Sequence, residues 1–322
     1  MNGLNTVIID GLAFSLPLFI IGIGGIYSER SGVTNLALEG LLGVGAFFGA
    51  LATVLISGFF PSGSQVPMYI AMAAAVAGGT LYSLLHALLC IRFKANQVIS
   101  GVVINILAMA LTTFFTSQIN SAVFDTPSDK FDLGTSARFT VPVLSKIPVL
   151  GAVFREMYPF EIIIVVVALI AWYVLYRTPF GVHLRACGEN PNAVDAAGIH
   201  VGRVRLRGVM VSGALAGLGG MSFAYSISAN YSSSIYAGFG YLAIAAMIFG
   251  NWKIVPTLGA CLIFGFARSG GYKIIQMLGM PSSFQDLVMI LPYLITLILL
   301  VFFSHNNRAP RALGEIYDKG KR

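Results

Sequence analysis

The chain has 322 residues, 57% of them hydrophobic and only 10% charged, with a formal net charge of +7 and a mean hydropathy of +0.82. Soluble domains carry about 25% charged residues, so this composition excludes a water-soluble globule and implies a polytopic membrane protein. The positive charge does not read as a nucleic-acid surface: basic residues flank apolar segments instead of alternating with stacking aromatics, as in loops that face anionic lipid.

A spanning helix needs about 20 predominantly apolar residues. The first such run covers 6–27; no basic region precedes it in MNGLNTVIID, so it is expected to be a retained helix and not a cleaved signal. The second, 33–57, overlaps the segment Ser28–Ala50, SERSGVTNLALEGLLGVGAFFGA, which places Glu39 in an apolar, glycine-rich setting. An ionisable side chain near a span's centre costs about 2.5–3.5 kcal/mol on insertion scales, so it faces a protein interior or a water-filled path. Ser31, Asn35 and Glu39 recur every fourth residue. On one continuous helix they share a face, which is expected to line a permeation pathway or to be satisfied by neighbouring helices. Spans at 68–90 and 98–118 follow. His86 is expected to be a satisfied interior histidine. Asn105, mid-span in VISGVVINILAMAL, either bonds a neighbouring helix or joins the pathway.

The 120–159 connection balances Lys130, Arg138, Lys146 and Arg155 against Asp125, Asp129, Asp132 and Glu156, and is assigned to the outer face. Trp172, Tyr173 and Tyr176 close the next span, 160–176, as interfacial anchors. The 177–207 connection carries Arg177, Arg185, Arg203, Arg205 and Arg207 against Glu189 and Asp195, and is assigned to the cytoplasm. Inside it, CGENPNAVDAAGIHVGRVR offers Asn190 as an N-cap, Pro191 at the first helical position and Gly198 just past the end. These predict a short helix over 191–197, either a plain connector or a docking element for a soluble partner. Then come 208–228 and two short runs, 238–250 and 254–269, split by Gly250-Asn251-Trp252-Lys253, and finally 285–303. The short pair reads as two crossings, a broken helix or a re-entrant pair. Asn251 and Lys253 are expected to cap backbone groups, with a gate as the alternative. Gly45-x3-Gly49 and Gly213-x3-Gly217 mark faces where helix backbones approach closely. Phe47, Phe48 and Phe239 are expected to pack against core or lipid. Residues 1–303 thus form an all-α, polytopic transmembrane bundle of about eight to ten segments, and 304–322 a basic tail on the cytoplasmic side. Cys90, Cys187 and Cys261 are widely separated and no HExxH occurs, so neither a metal site nor a disulfide framework is indicated.

The stretches SERSGVTNLALEGLLGVGAFFGA, ANQVISGVVINILA, GENPNAVDAAGIHVGRVRLRGVMVSGALAGLGG and GYLAIAAMIFGNWK occur in the order seen in permeases of ABC importers. From Gly11 to Phe303 the chain resembles the branched-chain amino acid and simple-sugar permease superfamily. Within it, the likeness is greatest to nucleoside-type permeases served by a basic-membrane-protein-type lipoprotein. Asp195-Ala196-Ala197-Gly198 is similar to a short form of the EAA motif, with Asp where the leading Glu is usual. The resemblance implies that Gly188, Glu189, Asn190, Asp195, Ala196, Ala197 and Gly198 belong to the segment that couples the permease to its ATPase. Ser31, Asn35, Glu39 and Asn105, read above from their positions, are expected to belong to the substrate pathway, and no residue is expected to be catalytic or metal-binding. The resemblance also implies a multi-pass protein of the bacterial inner membrane. The partners would be a second permease subunit, a cytoplasmic ABC ATPase, an extracytoplasmic solute-binding lipoprotein and a small-molecule solute. The chain carries no GxxxxGK[ST] loop, so ATP is expected on the partner subunit and no cofactor in this chain.

Two other classes compete. An ion-coupled carrier would use Glu39 as its titrating group, but no convincing inverted repeat relates the halves and the 191–197 helix is left without a role. An intramembrane enzyme would need a catalytic pair or zinc signature at depth, and neither is present. Within the importer class, nucleosides lead, with simple sugars, riboflavin and branched-chain amino acids as alternatives.

Overall fold

Each long apolar run folds as a helix, because backbone polar groups in hydrocarbon have no partners but one another. The structure, a computed structural model, describes residues 2–61, 63–134, 138–147, 150–234, 236–281, 284–303 and 308–319. In chain order the helices are α1 (Asn2–Arg30), α2 (Leu38–Ile56), α3 (Val66–Ala87), α4 (Gln97–Phe124), α5 (Pro159–Arg177), α6 (Pro179–Glu189), α7 (Pro191–Ala196), α8 (Val201–Phe223), α9 (Phe239–Phe249), α10 (Ile254–Met277), α11 (Gln285–Val288) and α12 (Leu291–Phe303). A two-stranded antiparallel ribbon joins β1 (Lys130–Asp132) to β2 (Asn230–Ser232), with Phe131 opposite Tyr231.

Among the described residues, seven helices are long and apolar enough to cross a membrane. With the shorter α9 and α12 the chain reaches the expected eight to ten segments. The ambiguous pair at 238–269 resolves into unequal parts. α10 has 24 residues and spans, whereas α9 has 11, about 16 Å at 1.5 Å per residue and half of a bilayer core about 30 Å thick. The turn after α9 is closed by Asn251 in a left-handed conformation (φ +52°). The Trp252 and Asn251 N–H groups donate to Met247 and Ile248 carbonyls, so Asn251 ends the helix, as expected.

The centre is built by backbone approach. A Cβ on Gly45 would lie 2.3 Å from the Gly217 Cα, one on Gly79 2.2 Å from the Gly213 carbonyl oxygen, and one on Gly217 2.2 Å from that of Ala75. α2, α3 and α8 therefore meet with no side chain between them, as the two G-x3-G faces predicted. His86, fully buried, points its ring nitrogens at the Ser100 hydroxyl (2.9 Å) and the Thr34 carbonyl (3.1 Å). It is the satisfied interior histidine that was expected.

Two expectations are corrected. The polar stripe does not lie on one helix, because α1 stops at Arg30 and α2 starts at Leu38. The stop is a Schellman turn: Gly32 takes φ +91°, the Val33 N–H donates to the Ser28 carbonyl (3.3 Å) and the Gly32 N–H to that of Glu29 (3.0 Å). Likewise Arg203, Arg205 and Arg207 do not lie in a loop. They occupy the first turns of α8, which starts at Val201 with His200 accepting the Arg203 N–H. Residues 304–307, where the tail was expected to begin, lie outside the described residues, as do Lys321 and Arg322.

Candidate functional site

Residues 31–37 form irregular backbone that runs back into the bundle. Asn105 lies eight residues into α4, about 12 Å from its start, and its Nδ2 donates to the Leu36 carbonyl at 2.7 Å. Irregular backbone at such depth persists only if its polar groups find partners inside the protein. Side chains supply them. Gln97 Oε1 accepts the Thr34 N–H (2.6 Å), Ser28 Oγ donates to the Val33 carbonyl (2.9 Å) and Glu29 Oε1 accepts the Asn35 N–H (3.4 Å). The imidazole of His86 faces the Thr34 carbonyl, which requires a proton on Nε2 and leaves Nδ1 to accept from Ser100. Asn105 Oδ1 accepts the Gly40 N–H at 2.7 Å, one of the orphan donors of the first turn of α2.

This re-entrant segment delivers Glu39 to the amino end of α9. Its Oε1 accepts the Gly238 N–H at 2.5 Å and its Oε2 the Gly240 N–H at 2.6 Å. Gly238, the N-cap residue, has no side chain to cap with, and the carboxylate supplies the cap from another element. A negative charge there also complements the helix dipole. The approach needs glycine: a Cβ on Gly240 would lie 2.5 Å from the Glu39 nitrogen.

Beside this junction is a cavity of about 270 Å³ lined by α2, α4, α9 and the turn before α9. Its polar lining comes from Glu39, Asn105, Thr112, Ser233, Tyr236 and Tyr241. Tyr241 Oη accepts from Asn105 Nδ2 (3.0 Å), and Thr113, one residue from Thr112, bonds Ser233 (2.6 Å). Glu39 and Asn105, predicted as pathway residues, are thus brought together. Ser31 and Asn35 are not lining residues. Ser31 Oγ donates back to Ser28 (2.6 Å), and Asn35 Nδ2 donates to Ser212 Oγ (2.7 Å) while its buried Oδ1 finds no partner. Sequence reasoning missed Tyr241, Ser233, Tyr236 and Thr112. Tyr241 lay in a stretch already marked as a short span, where a phenol hydroxyl in an apolar run was a usable signal. Phe239 itself packs on Phe14 and Phe223, and Phe47 on Phe131 and Tyr231. Both are core, as expected.

Glu29 is a second missed carboxylate. It is only 4% exposed and accepts from Trp252 Nε1 at 2.6 Å. It ties the end of α1 to the turn after α9 and is an internal brace.

At the arginine-rich end, α7 covers Pro191–Ala196, close to the predicted 191–197. Asn190 Oδ1 accepts the Ala193 N–H (3.0 Å), and Gly198 (φ +80°) completes a Schellman turn with Ile199 N–H bonded to the Val194 carbonyl (3.2 Å). Pro191 and Val194 are buried, whereas Ala193, Ala196 and Ala197 face outward. Gly188 and Glu189 end α6. Glu189 pairs with Arg30 at 3.7 Å, and a Cβ on Gly188 would lie 2.3 Å from the Arg30 carbonyl oxygen.

Comparison with known proteins agrees with this architecture. The chain is 39% identical to the guanosine ABC transporter permease protein NupQ of Bacillus subtilis over 99% of its own length and 98% of that relative. It is 38% identical to the nucleoside ABC transporter permease protein NupC of Lactococcus lactis over 100% and 99%. It is 25% identical to the glucose ABC transporter permease protein TsgB13 of Haloferax volcanii over 88% and 75%. No solved structure matches. Residues 7–300 match the family described as branched-chain amino acid transport system / permease component, and the chain, a multi-pass membrane permease, belongs to it.

Proposed function

We propose that this protein is the membrane-spanning permease subunit of an ATP-driven importer of nucleosides in the bacterial inner membrane. The observation that carries the reading is full-length similarity, at 39% and 38% identity, to relatives named for guanosine and nucleosides, against 30% and 25% for two relatives named for glucose. The cavity is compatible with such a solute. Glu39, Asn105, Tyr241, Ser233 and Thr112 offer both donors and acceptors for ribose hydroxyls and base edges. At about 270 Å³ it falls just below the roughly 300–1,000 Å³ of sites that enclose drug-sized ligands. A second permease subunit would complete it across the exposed face of α4. Ser31 and Asn35 act in this reading by shaping the turn that presents Glu39. The segment Gly188–Gly198 docks a cytoplasmic ATPase, which binds the ATP, and an extracytoplasmic lipoprotein delivers solute.

The test is uptake by the whole complex, purified with its partner subunits and reconstituted with ATP inside and no ion gradient. Labelled guanosine should accumulate against its gradient, and excess unlabelled glucose should not compete. Accumulation of glucose instead would overturn the substrate. Uptake that needs an ion gradient and ignores ATP would overturn the class.

Orientation is testable separately. In a chain freed of its native cysteines, a cysteine at Asn192 or Lys319 should react only with reagents that reach the cytoplasm, and one at Asp132 only from outside. Reaction of Asn192 and Asp132 from the same side would refute the assignment. Cys187 is a poor background reactant in any case, since burial pushes its thiol up to about 11.

A further inference from the structure

The described part of the tail, 308–319, folds back across the arginine-rich end and bonds every connection there. The Arg308 N–H donates to Asn251 Oδ1 between α9 and α10 (2.9 Å), and the Ala312 N–H to the Gly188 carbonyl at the end of α6 (2.8 Å). The Gly314 N–H donates to the Gly32 carbonyl in the turn after α1 (3.2 Å). Asp318 pairs with Lys94 between α3 and α4 (2.8 Å), and Lys319 with Asp195 on α7 (3.4 Å). The guanidinium of Arg205, on α8 and only 4% exposed, donates to the Glu315 carbonyl (2.9 Å). Ala312 is 2% exposed, and Leu313 and Tyr317 pack against the core.

These bonds are not equivalent. The two ion pairs involve partly exposed side chains and contribute little. The Ala312, Gly314 and Arg205 bonds sit under or beside buried groups, where an unmet partner is costly. Arg205 makes the point: with the tail lifted, a guanidinium in the protein interior loses the Glu315 carbonyl, its acceptor among the described residues.

The tail's contacts alternate between the two regions. Ala312 holds the end of α6 at Gly188 and Lys319 meets Asp195 on α7, while Gly314, between them, holds Gly32, the residue that breaks α1 and starts the re-entrant segment leading to Glu39. α6 and α8 also reach that segment directly, through Gly188 against the Arg30 carbonyl and Ser212 bonded to Asn35, so the tail is a second route beside them. Glu189 with Arg30 at 3.7 Å is a partly exposed contact.

We propose that residues 308–319 are a positioning strap that transmits displacement of the joined α6–α7 segment to the re-entrant segment 31–37, and so to Glu39 and the cavity. This rests on α7 being the ATPase-docking helix. The strap need touch neither solute nor ATPase. Its part is to make the docking helix and the Glu39 junction move together, a coupling between two sites expressed as the ratio of solute moved to ATP hydrolysed.

Two variants test it in the reconstituted complex: deletion of 308–322, and Gly314→Val. The second is the finer probe. Gly314 is exposed and takes φ +79°, with Thr34 Oγ1 3.2 Å from where a Cβ would lie, so valine lifts the strap from Gly32 and leaves the contacts with α6 and α7 in place. Coupling between two sites is typically about 5- to 150-fold in affinity, and the same scale is expected for the ratio of solute moved to ATP hydrolysed. Uptake per ATP hydrolysed is therefore expected to fall about tenfold in both variants, with the ATPase still co-purifying and still hydrolysing. Uptake per ATP within about twofold of wild type, a coupling below that range, overturns the strap. Loss of the ATPase from the purified complex overturns it too, since the tail would then belong to the dock. If the deletion does not fold, Gly314→Val decides alone. The docking reading fails by a different result: normal uptake and hydrolysis with a bulky residue at Ala196 and an intact tail.

Discussion

Glu39→Leu is expected to abolish uptake by the assembled importer, while Glu39→Gln retains a fraction of it. The carboxylate meets two N–H groups at once, those of Gly238 and Gly240, and a hydrogen bond to a charged group is worth about 1.5–3 kcal/mol. Leucine takes that acceptor away from both donors. Glutamine keeps one acceptor and turns an NH2 toward the other donor. Capping and solute contact are separated by Tyr241→Phe, which spares the cap and removes a hydroxyl from the cavity. If solute meets this cavity, Tyr241→Phe raises the half-saturating solute concentration with little change in maximal rate. Wild-type transport by Glu39→Leu would show the cap to be dispensable. Complete loss in Glu39→Gln, together with arrest of wild type when the proton gradient collapses, would point to an ion-coupled carrier.

The second large effect is expected at α7. Ala196→Trp should eliminate uptake and leave ATP hydrolysis running without transport, in a protein that still inserts and folds. The warrant is geometric. Ala193, Ala196 and Ala197 form the outward side of a two-turn helix whose other side, Pro191 and Val194, is packed on its own chain. A partner can seat closely only against small residues there, and an indole would hold it off. Ala196 is a cleaner probe than Asp195, whose carboxylate also pairs with Lys319. Measurement of hydrolysis and uptake on the same proteoliposomes decides the matter. Undiminished uptake would return α7 to the status of a connector.

The helical bundle was legible in the sequence because hydrocarbon allows the backbone so few solutions. The apolar runs gave the long spans, and Asn190, Pro191 and Gly198 gave α7 nearly residue for residue. The same type of glycine signal was present at Gly32 and was passed over. Three polar residues at every fourth position suggested one helix face, and that pattern outweighed a Ser-Gly pair sitting where a helix could stop. Tertiary context explains the rest. His86, Gln97 and Asn105 look like isolated polar residues in three different places along the chain, yet all serve one short stretch of irregular backbone. That Glu39 caps α9, 199 residues away, is set by how four elements pack, and no local pattern announces it. The membrane ends of α8 were misjudged for a related reason: Arg205 reads as a loop charge unless the tail that covers it is already in view.

The glycine contacts among α2, α3 and α8 bear on how such a protein can alternate. Where backbone rests on backbone there are no rotamers to exchange, so sliding one helix past another would require the three to separate. Gly45, Gly79, Gly213 and Gly217 therefore define a keel that should keep its shape through the cycle. Hinges are expected in joints made by side chains and turns, such as the Gly32 turn, the Asn251 turn and the amino end of α9. Opening and closing then becomes rotation of a half-helix and its neighbours against a fixed frame, with a single carboxylate at the pivot.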